Sequence, residues 1–199
     1  VLGGPEIEKD YDDQREFLVT YPQVDFGVLG EGEKPLVDIA RHSLASGKIK
    51  PSEPIRGTFY LEKDGQTLCV SEAAVLFVTL DEIPSPYTSG MFDEFFDINL
   101  HPMIQAARGC PFTCTFCSDG LAAKNKIYRY SPQRVEEELH YIAKRTKNVA
   151  ELMISDLNFG MYKQDVETAK MIRNVQEKYN YPTLLDAIAG KNMPKRTIE

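Results

Sequence analysis

The chain contains 199 residues with a formal net charge of −7, of which 42% are hydrophobic and 27% charged. This composition is ordinary for a soluble globular protein with one domain or parts of two, and the acidic balance disfavours a broad nucleic-acid-binding surface. No apolar run is long enough to span a membrane, and no secretory signal opens the sequence. Because four cysteines without an export signal indicate a reducing compartment, we predict a cytoplasmic protein.

The first 79 residues show patterns of strand and helix in alternation, which is typical of a parallel sheet. They close with two β-rich arms around an Asp-Gly pair, which is a strong hairpin signal. The predicted elements are a strand ending at Gly3-Gly4, a helix over residues 9–19, a strand over 25–30, a helix over 35–45 and a hairpin over 57–70.

Residues 80–100 are rich in proline and aromatic residues and have neither a helical nor a strand period, so we interpret them as an ordered linker between domains. Alternation then resumes, and the order β–loop–α–β–α–β predicts the start of a barrel or of a doubly wound sheet. The predicted elements are a strand over residues 102–107, a helix capped by Ser131 with Pro132 in its first turn, a strand over 151–155 ending at Asp156, a helix over 163–179 and a strand over 183–189.

Three of the four cysteines, Cys110, Cys114 and Cys117, follow the predicted strand at C-x3-C-x2-C spacing. Three thiolates in one loop can hold three corners of a cubane iron–sulfur cluster and leave one iron open for chemistry. The alternatives for this triplet are a zinc site or incidental cysteines. Structural zinc generally takes four ligands, and neither His101 nor His140 has the required spacing. The remaining cysteine, Cys69, is interpreted as a small buried hydrophobic residue.

The surrounding segment RGCPFTCTFC resembles the signature of the radical S-adenosylmethionine (radical SAM) superfamily, in the form used by its cobalamin-dependent branch. Three upstream segments also resemble that branch: Gly3-Gly4, the run DFGVLGEGE at residues 25–33, and LDEIPSPY at residues 80–87. The resemblance implies an α/β fold. Residues 1–79 would be the C-terminal part of a Rossmann-like cobalamin-binding domain, residues 80–100 a linker, and residues 101–199 the first βα units of a partial TIM barrel.

The resemblance also implies roles for individual residues. Cys110, Cys114 and Cys117 would each ligate one iron of a [4Fe–4S] cluster, and S-adenosylmethionine on the fourth iron would be cleaved reductively to methionine and a 5′-deoxyadenosyl radical. Phe116 would lie near the adenine, or alternatively be a packing aromatic. Asp156, and less strongly Asn158, would bind the amino group of S-adenosylmethionine, with a turn aspartate as the alternative. Gly3 and Gly4 would admit the nucleotide tail of cobalamin, or alternatively form an ordinary strand-to-loop turn.

The leading functional hypothesis is therefore a radical SAM enzyme that catalyses methyl transfer or a radical rearrangement, with cobalamin as a further candidate cofactor. Its partners would be a small-molecule or peptide substrate and a reductant such as flavodoxin or ferredoxin. We expect the chain to be a fragment, since an Asp-x-His-x-x-Gly cobalamin loop and later barrel strands are absent from it. The alternatives are a radical SAM protein whose N-terminal domain has lost cobalamin, a [4Fe–4S] electron-transfer or structural module with a fourth protein ligand, and a regulatory cobalamin-binding module.

Overall fold

The computed structural model describes residues 1–4, 7, 10–72, 74, 77–117, 119–120, 125–190, 192–193 and 195–196. The chain divides into two compact units, Val1–Phe77 and Val78–Glu199. Both units combine helices with a sheet that contains parallel strand pairs, so the prediction of an α/β fold is confirmed.

The first unit is built on a four-stranded sheet with two helices. The elements are β1 Leu2–Gly3, α1 Tyr11–Thr20, β2 Gly27–Val28, α2 Glu33–Ser46, β3 Thr58–Leu61 and β4 Leu68–Val70. The strand order in the sheet is β1-β2-β3-β4. The pair β1–β2 is parallel, and the pairs β2–β3 and β3–β4 are antiparallel, so the sheet is mixed. The predicted hairpin corresponds to β3 and β4.

Local chemistry explains where these elements begin and end. The side chain of Asp10 caps α1 by accepting a hydrogen bond from the backbone amide of Asp12, and α2 ends at Gly47 in the left-handed conformation. Gly27 permits the closest approach inside the sheet, because a Cβ at this position would lie 2.0 Å from the Phe59 ring. The buried side chains form two clusters, Phe26, Val28, Ile39 and Tyr60 in one and Leu18, Phe59 and Leu68 in the other.

Residues 80–100, interpreted from the sequence as an ordered linker between domains, belong to the second unit and contain two short 3₁₀ helices, Leu80–Glu82 and Asp93–Asp97. The first is stabilised by a capping box between Thr79 and Glu82. Leu80 is buried in this segment, and Tyr87 and Phe96 join the hydrophobic core of the second unit. Aromatic residues spaced irregularly in sequence thus reach one core, because 3₁₀ turns and prolines fold the segment back on itself.

The second unit contains five strands and two α-helices among its described residues. The elements are β5 Met103–Ile104, β6 Ala107–Arg108, β7 Tyr128–Arg129, α3 Pro132–Arg145, β8 Glu151–Phe159, α4 Lys163–Tyr179 and β9 Leu184–Ala189. Three of the strands form a parallel sheet in the order β5-β8-β9, and successive strands are connected through α3 and α4.

Ser131 caps α3, as predicted, and α4 has the predicted bounds. The strand β8 is longer than predicted, so Asp156 lies within the strand rather than at its end.

The cysteine loop, residues 109–127, starts and ends on an antiparallel pair of short strands. Ala107 pairs with Arg129 and Arg108 pairs with Tyr128, which brings the two ends of the loop together. The loop therefore emerges from a fixed base just after β5. Among the described helices, none is long and apolar enough to cross a membrane.

Candidate functional site

The backbone of the cysteine loop is shaped by two glycines. Gly109 has φ of 104°, and a Cβ there would lie 2.2 Å from the carbonyl oxygen of Lys126, so only glycine fits where the loop leaves β6. A Cβ on Gly120 would likewise lie 2.2 Å from the carbonyl oxygen of Cys114. These close approaches fold the segment that contains the cysteines tightly onto itself.

The three predicted cluster ligands all lie on this loop, and Cys110 is two residues from its base at Arg108. Cys110 is buried, and Cys114 and Cys117 are half-buried. The amide of Cys117 donates a hydrogen bond to the carbonyl oxygen of Cys114 at 3.2 Å, and the amide of Gly120 donates to that of Cys117 at 2.9 Å. The second and third cysteines therefore sit on one tight turn.

The donor set suits an iron–sulfur cluster in chemistry and in sequence spacing. No disulfide joins the four cysteines, all of which are described, so residues 110–117 contain three cysteines that are not oxidised to disulfides. Within the described ranges, no three Cys, His, Asp or Glu side chains are arranged as a metal-binding group.

The strand β8 presents polar side chains next to the cysteine loop. Its buried positions alternate along the strand, with the apolar Leu152 and Ile154 followed on the same face by Asp156 and Asn158. The buried face therefore changes from hydrophobic to polar toward the carboxyl end of the strand. In parallel sheets this end is where functional side chains are expected.

Asp156 holds the backbone that leads into the cysteine loop. One carboxylate oxygen, Oδ1, accepts hydrogen bonds from the backbone amides of Ala106 at 2.8 Å and Ala107 at 3.0 Å. Burial raises the pKa of this carboxyl group above its ordinary value, and the two amide hydrogen bonds and Arg129 oppose that shift. Asp156 therefore connects the middle strand of the sheet to the base of the loop.

Asn158 contacts a predicted cluster ligand directly. Its side-chain nitrogen Nδ2 donates a hydrogen bond to Sγ of Cys110 at 3.2 Å, and both side chains are buried. The strand β8 thus provides Asp156, which binds the backbone before the loop, and Asn158, which contacts Cys110.

An ion pair between the half-buried Arg129 and the buried Asp165 lies beside these residues. Arg129 of β7 donates a hydrogen bond to Asp165 of α4 at 3.0 Å, and its guanidinium stacks 4.7 Å from the centre of the Tyr162 ring. Asp165 also accepts a hydrogen bond from the backbone amide of Tyr162 at 2.8 Å. Burial raises the pKa of the Tyr162 hydroxyl, the charge of Arg129 lowers it, and Cys110 raises it. The pair therefore joins the end of the cysteine loop to the start of α4.

Several polar atoms of this region have no protein partner. Among the described residues, five buried side-chain atoms lack a hydrogen bond, and four of them belong to Arg129, Asp156, Asn158 and Tyr162. Buried polar atoms in native proteins are nearly always paired with protein, water or ligand. Their concentration in these four residues indicates a place where a polar ligand could be bound.

The remaining predicted site residues are Phe116, Gly3 and Gly4. Phe116, on the cysteine loop, is 87% exposed. Gly3 and Gly4 lie in the first unit, where Gly4 has φ of 129° and its missing side chain would meet nothing within 4 Å. Glycine at this position is thus required by backbone conformation, and a side chain would have free space.

Sequence reasoning missed Arg129, Asp165 and Tyr162, and it did not foresee that Asn158 contacts Cys110. One signal was present in β8, where polar residues continue the two-residue period of the buried face. The pairing of Arg129 with Asp165 had no such signal, because 36 residues separate them.

Comparison with known proteins supports the family suggested by the motif. A curated 2-(S-pantetheinyl)-carbapenam-3-carboxylate methyltransferase from Streptantibioticus cattleyicolor is 27% identical over 205 residues, covering 100% of this chain and 29% of that protein. The cobalamin-dependent radical SAM methyltransferase TokK from Streptomyces tokunonensis is 25% identical over 205 residues, with the same two coverages. The chain thus spans about 29% of the length of these relatives. No protein-family model matches it.

A solved structure shows the same fold. It is that of the cobalamin-dependent S-adenosylmethionine radical enzyme OxsB with aqua-cobalamin and S-adenosylmethionine bound. The TM-score is 0.55 at 21% sequence identity, and the match covers 81% of this chain and 22% of that one. At this identity the likeness is evidence about the fold alone.

Proposed function

We propose, from the homology of this chain to the cobalamin-dependent radical SAM methyltransferase TokK, that it contributes the cluster-binding part of a radical SAM enzyme. The observation that carries the proposal is the position of the cysteine loop. Cys110, Cys114 and Cys117 follow the first strand of a parallel sheet, and Cys110 contacts the polar carboxyl-terminal half of β8 through Asn158.

In the proposed enzyme, Cys110, Cys114 and Cys117 hold a [4Fe–4S] cluster through their thiolates. When bound and reduced, such a cluster supplies the electron that cleaves S-adenosylmethionine to methionine and a 5′-deoxyadenosyl radical. The protein's contribution is to fix the loop, exclude water and orient the ligand. The glycines at 109 and 120 allow the loop to fold compactly enough for this role.

Asp156 is the residue that we propose to bind the amino group of S-adenosylmethionine. Its Oδ1 atom is already occupied by two backbone amides, whereas its buried Oδ2 atom has no partner among the described residues. An ammonium group at Oδ2 would compensate the cost of burying the carboxylate by a charge-assisted hydrogen bond. Phe116 is exposed on the cysteine loop, and we propose that its ring covers the adenine of S-adenosylmethionine.

Cobalamin is proposed as the second cofactor. Two observations support this proposal. The chain aligns over its whole length with TokK, whose name states cobalamin dependence. In the first unit, Gly3-Gly4 lies at the end of β1. The open space beside Gly4 is compatible with a bulky ligand such as the nucleotide tail of cobalamin.

The proposed reaction is methyl transfer, because the curated relatives named above are methyltransferases. A radical rearrangement remains within the same chemistry. We propose a small-molecule or peptide substrate, and a reductant such as flavodoxin or ferredoxin in a reducing compartment such as the cytoplasm, where thiols persist without forming disulfides.

The test is anaerobic reconstitution of the full-length protein that contains this chain, with iron and sulfide. We expect about four irons per chain, the number in a [4Fe–4S] cluster, and formation of 5′-deoxyadenosine from S-adenosylmethionine under a strong reductant. Cys114→Ala should abolish this cleavage. Cys69→Ala, in β4 of the first unit, is the matched control and should retain it.

The alternative of an electron-transfer or structural iron–sulfur module predicts a different result. In that case the wild-type cluster would form and undergo reduction, but S-adenosylmethionine would neither bind nor be cleaved. Cleavage of S-adenosylmethionine by the Cys114→Ala variant would contradict the role of Cys114 as a cluster ligand in either class of protein. The absorption spectrum of the protein loaded with cobalamin tests the second cofactor separately.

A further inference from the structure

The hydrogen bond between Asn158 and Cys110 connects a strand of the sheet to the cysteine loop. The donor lies on β8, whose position is fixed by pairing with β5 and β9, and not on the loop that contains the acceptor. Both side chains are buried, with relative exposures of 6% for Asn158 and 8% for Cys110. The contact therefore joins a rigid element to the first cysteine of the loop.

The chemistry of Asn158 is poorly explained by packing alone. Its other polar atom, Oδ1, is buried and has no hydrogen-bond partner among the described residues. Burying an unpaired amide oxygen is costly, and an apolar side chain at this position would not carry that cost. The amide is understandable if its nitrogen has a task at the sulfur of Cys110.

A hydrogen bond to a cluster thiolate has a known physical effect. It withdraws electron density from the sulfur and so stabilises the more negative, reduced form of the cluster, which raises the reduction potential. Only the nitrogen of the amide can serve here, because a thiolate ligand is an acceptor without a proton.

We propose that Asn158 is a positioning residue that fixes the Cys110 sulfur and raises the reduction potential of the cluster through its Nδ2–H···Sγ hydrogen bond. This inference rests on the proposed function, since it requires that Cys110 ligate a cluster. It adds a residue outside the cysteine motif to the set that determines how easily the cluster accepts an electron.

The experiment is a redox titration of the reconstituted full-length protein without S-adenosylmethionine, followed by electron paramagnetic resonance. Asn158→Leu removes the donor and keeps a side chain branched at Cγ, and Asn158→Ala removes the donor with a smaller side chain. Asn174→Leu is the matched control, because it makes the same substitution at an exposed position of α4. We expect both Asn158 variants to have a more negative midpoint potential than the wild type and the Asn174 variant to be unchanged.

A second measurement uses the wild-type protein alone. With ¹⁵N-labelled asparagine, pulsed electron paramagnetic resonance of the reduced cluster should detect a coupling to one asparagine side-chain nitrogen. Absence of that coupling would overturn the inference without any variant having to fold.

The outcomes separate this inference from the proposed function. If the wild type assembles no [4Fe–4S] cluster, both are wrong. If it assembles the cluster and cleaves S-adenosylmethionine, but the Asn158 variants titrate at the wild-type potential, only the role of Asn158 is wrong. Loss of the cluster from both Asn158 variants would also overturn the tuning role, because it would show a requirement for assembly instead.

Discussion

The carboxylate of Asp156 accepts a hydrogen bond from the backbone amide of Ala106 at 2.8 Å, across 50 residues of sequence. The same oxygen accepts a second hydrogen bond from the next amide along the chain, that of Ala107. Asp156 therefore fixes the segment between β5 and β6, from which the cysteine loop begins. A single side chain in the middle strand thus contributes both to folding and to placement of the candidate cluster ligands.

Replacement of Asp156 by alanine should destabilise the second unit. It leaves two buried amides without an acceptor, and each unsatisfied buried donor costs about 1–3 kcal/mol, so we expect a loss of about 2–6 kcal/mol in the free energy of unfolding. Asp156→Asn retains an acceptor oxygen and should cost less. Urea denaturation measures both variants, and hydrogen exchange at Ala106 and Ala107 reports the two amides directly. Wild-type protection of these amides in the alanine variant would contradict the assignment.

Replacement of Gly120 by alanine should displace the turn that contains Cys114. The new Cβ would lie 2.2 Å from a backbone carbonyl oxygen, so the loop must shift, at a cost of about 1–3 kcal/mol. We expect a marked fall in iron bound per chain after reconstitution. Gly32→Ala is the matched control, because its Cβ would lie no closer than 3.9 Å to its neighbours. Equal iron content in the two variants would show that the tight turn is not needed for cluster binding.

Replacement of Arg129 by methionine should weaken the connection between β7 and α4. Asp165 is only 2% exposed and would keep only the hydrogen bond from the Tyr162 amide, so we expect a loss of about 1–3 kcal/mol, the typical cost of a buried polar group that loses its partner. The double variant Arg129→Met/Asp165→Asn removes the carboxylate charge and should recover part of the loss. Urea denaturation of the single and double variants tests this. A double variant less stable than Arg129→Met would refute the explanation by an unpaired charge.

The hairpin of the first unit should show a defined pH dependence. The Thr67 hydroxyl, followed by the backbone amides of Thr67 and Gln66, donates hydrogen bonds to Asp64 and lowers the pKa of its carboxyl group to about 2. A lowered pKa in the folded state means that this carboxylate stabilises the fold above its ordinary pKa of 3.8, and that the contribution disappears as pH falls toward 2.

Asp64→Ala should therefore be less stable than the wild type at neutral pH, and the difference should shrink below the ordinary pKa of the carboxyl group and vanish near the lowered one. Urea denaturation across this pH range measures the difference, and a nuclear magnetic resonance titration of the Asp64 carboxyl carbon measures the pKa. Glu53→Ala, at an exposed position of the same unit, controls for the change in net charge. A difference in stability that does not vary with pH would contradict the role of the charge.

Local signals in the sequence were sufficient for several elements. Ser131 followed by Pro132 predicted the start of α3, and the apolar period predicted α4 with its observed bounds. These elements depend on neighbours within a few residues, so their chemistry is visible in a short window of sequence. The 3₁₀ helices after Thr79 had no such period, and the extent of β8 beyond Asp156 was hidden because polar residues occupy its buried face there.

By itself the sequence determined the α/β class, the three thiols of the cysteine loop and the resemblance to a family, because composition, spacing and motifs are properties of residues close together along the chain. Only the tertiary structure decided that Asn158 donates to Cys110, that Asp156 holds the backbone before the loop, and that Arg129 pairs with Asp165. These contacts join residues 36 to 50 positions apart, and they exist because parallel strand pairing and the packing of α3 on α4 bring distant segments together.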